Sequence, residues 1–223
     1  MSSKLNVVML GATGAVGTEV VSTLVDMPEL VRLTLLGRRA VEGVSHDGLN
    51  QHKADIFDPS SYAMHLRGHD TAICTLGVGQ PSKVSREDFV RIDKLAVLDF
   101  ATACRQTGVG HFQLLGSIGS DSASRSFFLR TKGELEDGLK ALGFDRLSIF
   151  QPSMILTPEN RYGLMQALTL WGWPKLDFLL TGPRTKYRGV KVATLGRAMA
   201  RNTVADGTGA QTLRWDEFQA LAN

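Results

Sequence analysis

A chain of 223 residues, 43% hydrophobic and 21% charged, is long enough to bury one substantial core and too apolar to remain disordered. Its formal net charge of +3 comes from Lys and Arg scattered along the sequence, which argues against a nucleic-acid-binding face and leaves a local basic cluster to be explained by an anionic ligand. Cys74 and Cys104 carry no metal-ligand spacing, so reduced, buried thiols are expected and no metal site. The sequence passes from Met1-Ser2-Ser3-Lys4 straight into a strand, and the expectation is a cytoplasmic protein with no signal peptide and no membrane span.

The apolar run 5–10 predicts a buried strand, and Val16, Val20, Val21 and Leu24 predict a helix closed by Pro28. Val31 to Leu36 reads as a second strand ending at Gly37-Arg38-Arg39, followed by a weakly patterned segment around Gln51 to Asp55. Asp58-Pro59 marks a helix start, and Thr71 to Leu76 a strand. A long helix opens at Ser85 with Phe89, Ile92, Ala96 and Phe100 facing inward, and His111 to Leu115 forms the next strand. Leu135, Leu139 and Leu142 share one face of a further helix, Leu147 to Phe150 is a strand, a helix is expected near Val192 to Val204, and a terminal strand and helix around Trp215.

Strands alternating with helices predict a Rossmann-like α/β fold, a doubly wound parallel sheet in the order 3-2-1-4-5-6. The expected organisation is one domain over 1–223, with 1–150 as nucleotide-binding core and 151–223 as a small cap on the substrate side. Trp171-Gly172-Trp173-Pro174 with Phe178-Leu179-Leu180 reads as cap packing or an apolar pocket wall.

Gly11-Ala12-Thr13-Gly14-Ala15-Val16-Gly17 follows the first strand and opens the first helix. Glycines there let the backbone turn tightly against a dinucleotide diphosphate, and the helix N-terminus offers unpaired N–H groups and partial positive charge. The second strand ends in Arg38 and Arg39 rather than the carboxylate that would bind a ribose 2′-hydroxyl, and arginine suits a 2′-phosphate; NADP(H) is the expected cofactor. Asp55 and Ile56 at the end of the third strand offer an acceptor for the adenine amino group or a simple loop; Leu76 and Gly77 after the fourth offer close approach to the ribose or a simple turn. No GxxxxGK[ST] and no GxSxG is present, which argues against a P-loop NTPase and an elbow-type hydrolase.

These motifs, with the later Ser117 and Lys132, resemble the atypical branch of the short-chain dehydrogenase/reductase superfamily. The stretches Leu33-Thr34-Leu35-Leu36-Gly37-Arg38-Arg39, Phe89-Val90-Arg91-Ile92-Asp93, Lys132-Gly133-Glu134-Leu135-Glu136 and Phe144-Asp145-Arg146-Leu147-Ser148-Ile149-Phe150-Gln151-Pro152 are similar to the Tat-interacting oxidoreductase-like family. The resemblance implies NADP(H) binding and a reductase or regulatory role. It implies a polarising serine at Ser117, a ribose-holding lysine at Lys132, and a segment Pro152-Ser153-Met154 that passes the nicotinamide.

The superfamily's acid–base tyrosine stands four residues before its lysine, and this chain has Phe128 there. A phenyl ring has no proton to exchange. Three readings stay open: nucleotide binding without efficient carbonyl chemistry, as a regulatory or protein-interaction module; proton transfer by another group such as Ser117, Asp121 or Tyr162; or a flavin or quinone acceptor whose product solvent protonates. Arg161 and Tyr162 are further candidates for the substrate mouth.

Overall fold

A computed structural model describes residues 4–157 and 180–223. The main sheet contains β1 (Leu5–Leu10), β2 (Leu30–Gly37), β3 (Leu49–Lys53), β4 (Thr71–Cys74), β5 (His111–Leu115), β6 (Arg146–Phe150) and β9 (Gly209–Leu213). Its order is β3-β2-β1-β4-β5-β6-β9 and every pairing is parallel. The expected order holds, with one strand added at the β6 edge. A second, two-stranded parallel sheet joins β7 (Met154–Leu156) to β8 (Gly189–Lys191).

Both faces of the central strands are covered, so nearly every residue of β1, β4, β5 and β6 is buried. Along β1, Val7 and Met9 enter one core, with Val20, Leu24, Leu195 and Phe218. Val8 and Leu10 enter the other, with Phe100, Phe112 and Leu139. The first core lies under α1 (Ala15–Val25), α5 (Val192–Arg201) and α6 (Trp215–Ala222); the second lies under α3 (Ala96–Gln106) and α4 (Phe127–Ala141). Burying each such side chain contributes roughly 1.5–3 kcal/mol, so the sheet is fixed from both sides.

Three expectations are corrected. Asp58-Pro59 opens a single 3₁₀ turn, Pro59–Ser61, rather than a helix. Asp58 accepts from both the N–H and the hydroxyl of Ser60, and Ser61 donates to the carbonyls of Asp55 and Asp58; such local bonds compete with helix propagation. The long helix after Ser85 is α2 (Arg86–Val90), a π-helical turn (Arg91–Leu95) and α3 in series. Within this turn Asp93 is buried and Ile92 is half-buried.

The third concerns the cap. The expectation that everything after residue 150 is cap does not hold for the last part of the chain: β9 pairs with β6 in the main sheet, and α5 and α6 roof its first core. Arg161, Tyr162, Trp171-Gly172-Trp173-Pro174 and Phe178-Leu179 lie outside the described residues.

Candidate functional site

The glycine turn sits where β1 and β4 end side by side. Gly11 adopts φ +94°, and a Cβ there would meet the backbone of Thr75 and Leu76 at 2.6 Å. Thr75 Oγ1 donates to the Gly11 carbonyl at 3.0 Å, clamping the turn onto the strand end. At Gly17 a Cβ would lie 2.2 Å from the Gly11 carbonyl oxygen, so this buried glycine serves the packing of α1 on its own turn. Gly17 lines neither of the cavities described next. Gly14 is exposed, and a Cβ there would meet nothing nearer than the Gly11 carbonyl, at 3.3 Å. Gly14 caps α1 with no side chain, and the first turn holds no acidic residue, so the helix N-terminus faces open space.

Two cavities meet at this turn and share Leu76, Gly77 and Val78. The first, about 320 Å³, is walled by Gly11, Thr13, Arg38, Arg39, Asp55 and Ile56. Both arginines are exposed, and neither forms an ion pair among the described residues. Asp55 Oδ1 accepts from the Phe57 N–H at 3.0 Å, which fixes the loop after β3, and the Arg91 guanidinium lies 3.8 Å over the Phe57 ring. The second cavity, about 530 Å³, is walled by Gly14, Ala15, Val16, Ser117, Phe128, Lys132, Pro152, Ser153 and Met154. The structure therefore brings together Ser117, Phe128 and Lys132, expected from three separate stretches of sequence, around one space. The turn between the cavities fits a dinucleotide diphosphate, because Gly14 presents no side chain at the start of α1 where it lines the second cavity.

Asp93 is the residue that sequence reasoning missed. Its Oδ1 lies 2.7 Å from Lys132 Nζ, and its Oδ2 accepts from the Val78 N–H at 2.8 Å. The signal was a lone carboxylate in the stripe Phe89, Asp93, Val97, Phe100, all four buried. Among the described residues Ser117 Oγ has one long contact, 3.5 Å, to the Ile118 carbonyl, which leaves its hydroxyl able to donate into the cavity. Below it, Ser120 donates to the Ser117 carbonyl at 2.7 Å. Burial pushes the Glu136 carboxyl up, and its two oxygens accept from Gln151 Nε2 at 3.0 and 3.1 Å. That buried pair anchors the start of the Pro152-Ser153 segment.

Asp121 does not reach the site. Its carboxylate accepts from the Ala123 N–H at 2.9 Å in an exposed turn, and it lines neither cavity. His65 and His69, four residues apart, do not meet either: His65 stacks on His52 at 3.7 Å, while His69 is buried against Thr34 Oγ1 and the Leu66 carbonyl. Burial pushes the Cys74 thiol up to about 12, so it is inert.

The NAD(P)H-binding family matches residues 11–146, more than half of the chain. This chain belongs to that family. Among relatives of the NAD(P)H-binding chain, Protein HTATIP2 of Rattus norvegicus is 34% identical over 214 residues, 93% of this chain and 85% of the rat protein. Protein fmp52, mitochondrial, of Emericella nidulans is 32% identical over 157 residues, 67% of this chain and 66% of the fungal protein. Among solved structures, MoeE5 in complex with UDP-glucuronic acid and NAD superposes with a TM-score of 0.73 at 17% identity, over 93% of this chain and 75% of that one. A short chain dehydrogenase family protein from Francisella tularensis gives 0.64 at 14% identity, over 95% and 97%. At those identities the likeness shows the Rossmann-like fold alone. Among the described residues, no helix is long and apolar enough to cross a membrane.

Proposed function

We propose that this NAD(P)H-binding protein is an atypical reductase that uses NADP(H) on a small quinone, flavin or carbonyl acceptor. The observation that carries the reading is the pairing of the two cavities: Arg38 and Arg39, without ion-pair partners among the described residues, on one side of the glycine turn, and Ser117 with Lys132 on the other.

In this reading the N–H groups at the start of α1, beside Gly14, hold the diphosphate. Arg38 and Arg39 hold the 2′-phosphate bidentately, and Asp55 and Ile56 meet the adenine edge. Leu76 and Gly77 border the ribose, and Pro152, Ser153 and Met154 border the nicotinamide. When bound, the reduced nicotinamide supplies a hydride.

Everything else falls to the chain's own residues. Lys132 has three ammonium protons; one goes to Asp93, and two are left for ribose hydroxyls. Asp93 thus orients Lys132 and, through the Val78 N–H, ties it to the loop that both cavities share. Ser117 donates to an acceptor oxygen. Phe128 excludes water and supplies no proton, so acceptors whose reduced form solvent can protonate are favoured over simple carbonyls.

The second reading is a non-catalytic NADP(H)-dependent module read by a protein partner, and Phe128 in place of an acid–base residue favours it. Turnover separates them. NADPH consumption with quinones or flavins, well above the no-acceptor rate and lost in Ser117→Ala, supports the reductase; silence across carbonyls, quinones and flavins, with NADPH bound, supports the module. For the compartment we keep the cytoplasm, on the two buried free cysteines. The fungal relative's name points to mitochondria, and cell fractionation decides.

A further inference from the structure

A third cavity of about 410 Å³ opens beside the second and shares Pro81 and Phe128 with it. Its apolar wall is a cluster of phenyl rings from two elements. Phe89 of α2 lies 5.9 Å from Phe127 and 5.5 Å from Phe128, both at the start of α4. Its one ionisable lining residue is Arg86, whose guanidinium sits 5.1 Å from the centre of the Phe127 ring. The Arg130 guanidinium lies 6.0 Å from the same ring. Arg86 has no carboxylate partner among the described residues, and the nearby Asp88 is engaged by the Ser85 hydroxyl at 2.7 Å.

Phenyl rings tilted by 56° and 37° to one another offer a flat, π-bearing guest face and edge contacts, and a guanidinium without a carboxylate partner among the described residues favours an anion on it. An aliphatic chain would gain the apolar contact but neither the ring geometry nor the charge. We propose that this annex binds a planar aromatic group carrying a carboxylate or similar anion. Its use as the acceptor's seat rests on the reductase reading above, since Phe128 is the wall between the annex and the cavity of Ser117 and Lys132.

The test is a calorimetric titration of the whole protein with 2-naphthoate, the neutral 2-naphthylmethanol and octanoate, each with and without saturating NADPH. The expected result is saturable 2-naphthoate binding, at least fivefold tighter than the alcohol and tighter than octanoate. Arg86→Gln, an exposed change, should abolish the preference for naphthoate over the alcohol and leave the alcohol's affinity unchanged. Equal binding of acid and alcohol, no binding of either, or an unchanged preference in Arg86→Gln overturns the annex. NADPH binding without naphthoate binding removes the annex alone. Naphthoate binding without any NADPH binding leaves the annex standing and removes the reductase reading.

Discussion

Lys132 Nζ and Asp93 Oδ1 are 2.7 Å apart, with side-chain exposures of 8% and 2%, although the residues belong to different helical segments. Asp93 stands in the π-helical turn and Lys132 in α4, and both side chains are buried where these elements pack. A buried pair of this kind costs desolvation to form, and losing one partner strands the other charge. Asp93→Asn is expected to lower the unfolding free energy by about 3 kcal/mol, and Asp93→Asn with Lys132→Met to recover most of it. Denaturant melts of the single and double variants measure this. A single variant costing under about 1 kcal/mol would mean that Asp93 does not neutralise Lys132.

The glycines of the turn are expected to separate into packing and ligand roles. Gly17→Ala forces a Cβ against the Gly11 carbonyl and should cost roughly 2–3 kcal/mol of stability. Gly14→Ala meets little inside the fold, so its melting temperature should stay near that of the parent. Its added methyl should nonetheless weaken NADPH binding by about tenfold or more. If Gly14→Ala binds NADPH normally, the diphosphate does not sit on this turn.

Phe128 is one helical turn before Lys132 and shares its cavity. Phe128→Tyr should place a phenol beside the ammonium and raise the NADPH-dependent reduction of simple carbonyls by about 10²-fold, the usual scale for a positioned acid. Initial rates against a carbonyl panel check it. Unchanged rates would mean that a missing phenol is not what limits this site.

His111 is buried against Ser148 Oγ, at 3.0 Å, and desolvation together with the Arg146 charge pushes its pKa down to about 3. A histidine held neutral in the fold and free to charge near pH 6.5 when unfolded favours the folded state fully above pH 6.5. That contribution is lost as pH falls toward 3, at about 1.4 kcal/mol per pH unit. Melts from pH 7 to 4 should show the decline, and His111→Gln should flatten it. An identical pH slope in the variant would assign the acid sensitivity to other groups.

The parts legible in the sequence are those that hydrophobic burial writes directly. β1 and β4, covered on both faces, read as largely apolar runs, while β5 and β6 alternate apolar residues with buried polar ones; the order of glycine turn, arginines, serine and lysine maps onto successive strand ends, where parallel sheets gather their loops. The terminal strand before Trp215 was legible, but not its place in the main sheet, because four of the five β9 residues are exposed and its pairing with β6 places it there. Asp93 was hidden because the buried stripe Phe89, Asp93, Val97, Phe100 is otherwise apolar, and periodicity marks a face without saying which partner a lone carboxylate on it meets. Gly17 was read as a ligand contact because a motif does not say whether a glycine makes room for phosphate or for a neighbouring backbone.

The central claim is that Arg38 and Arg39 make the first cavity an NADP(H) site. Calorimetric titration of the parent protein with NADPH and with NADH tests it most directly, alongside Arg38→Glu. The account predicts NADPH binding at least tenfold tighter than NADH, with Arg38→Glu weakening NADPH by about thirtyfold and NADH by less than threefold. Equal affinities for the two nucleotides, or equal losses in Arg38→Glu, would contradict it.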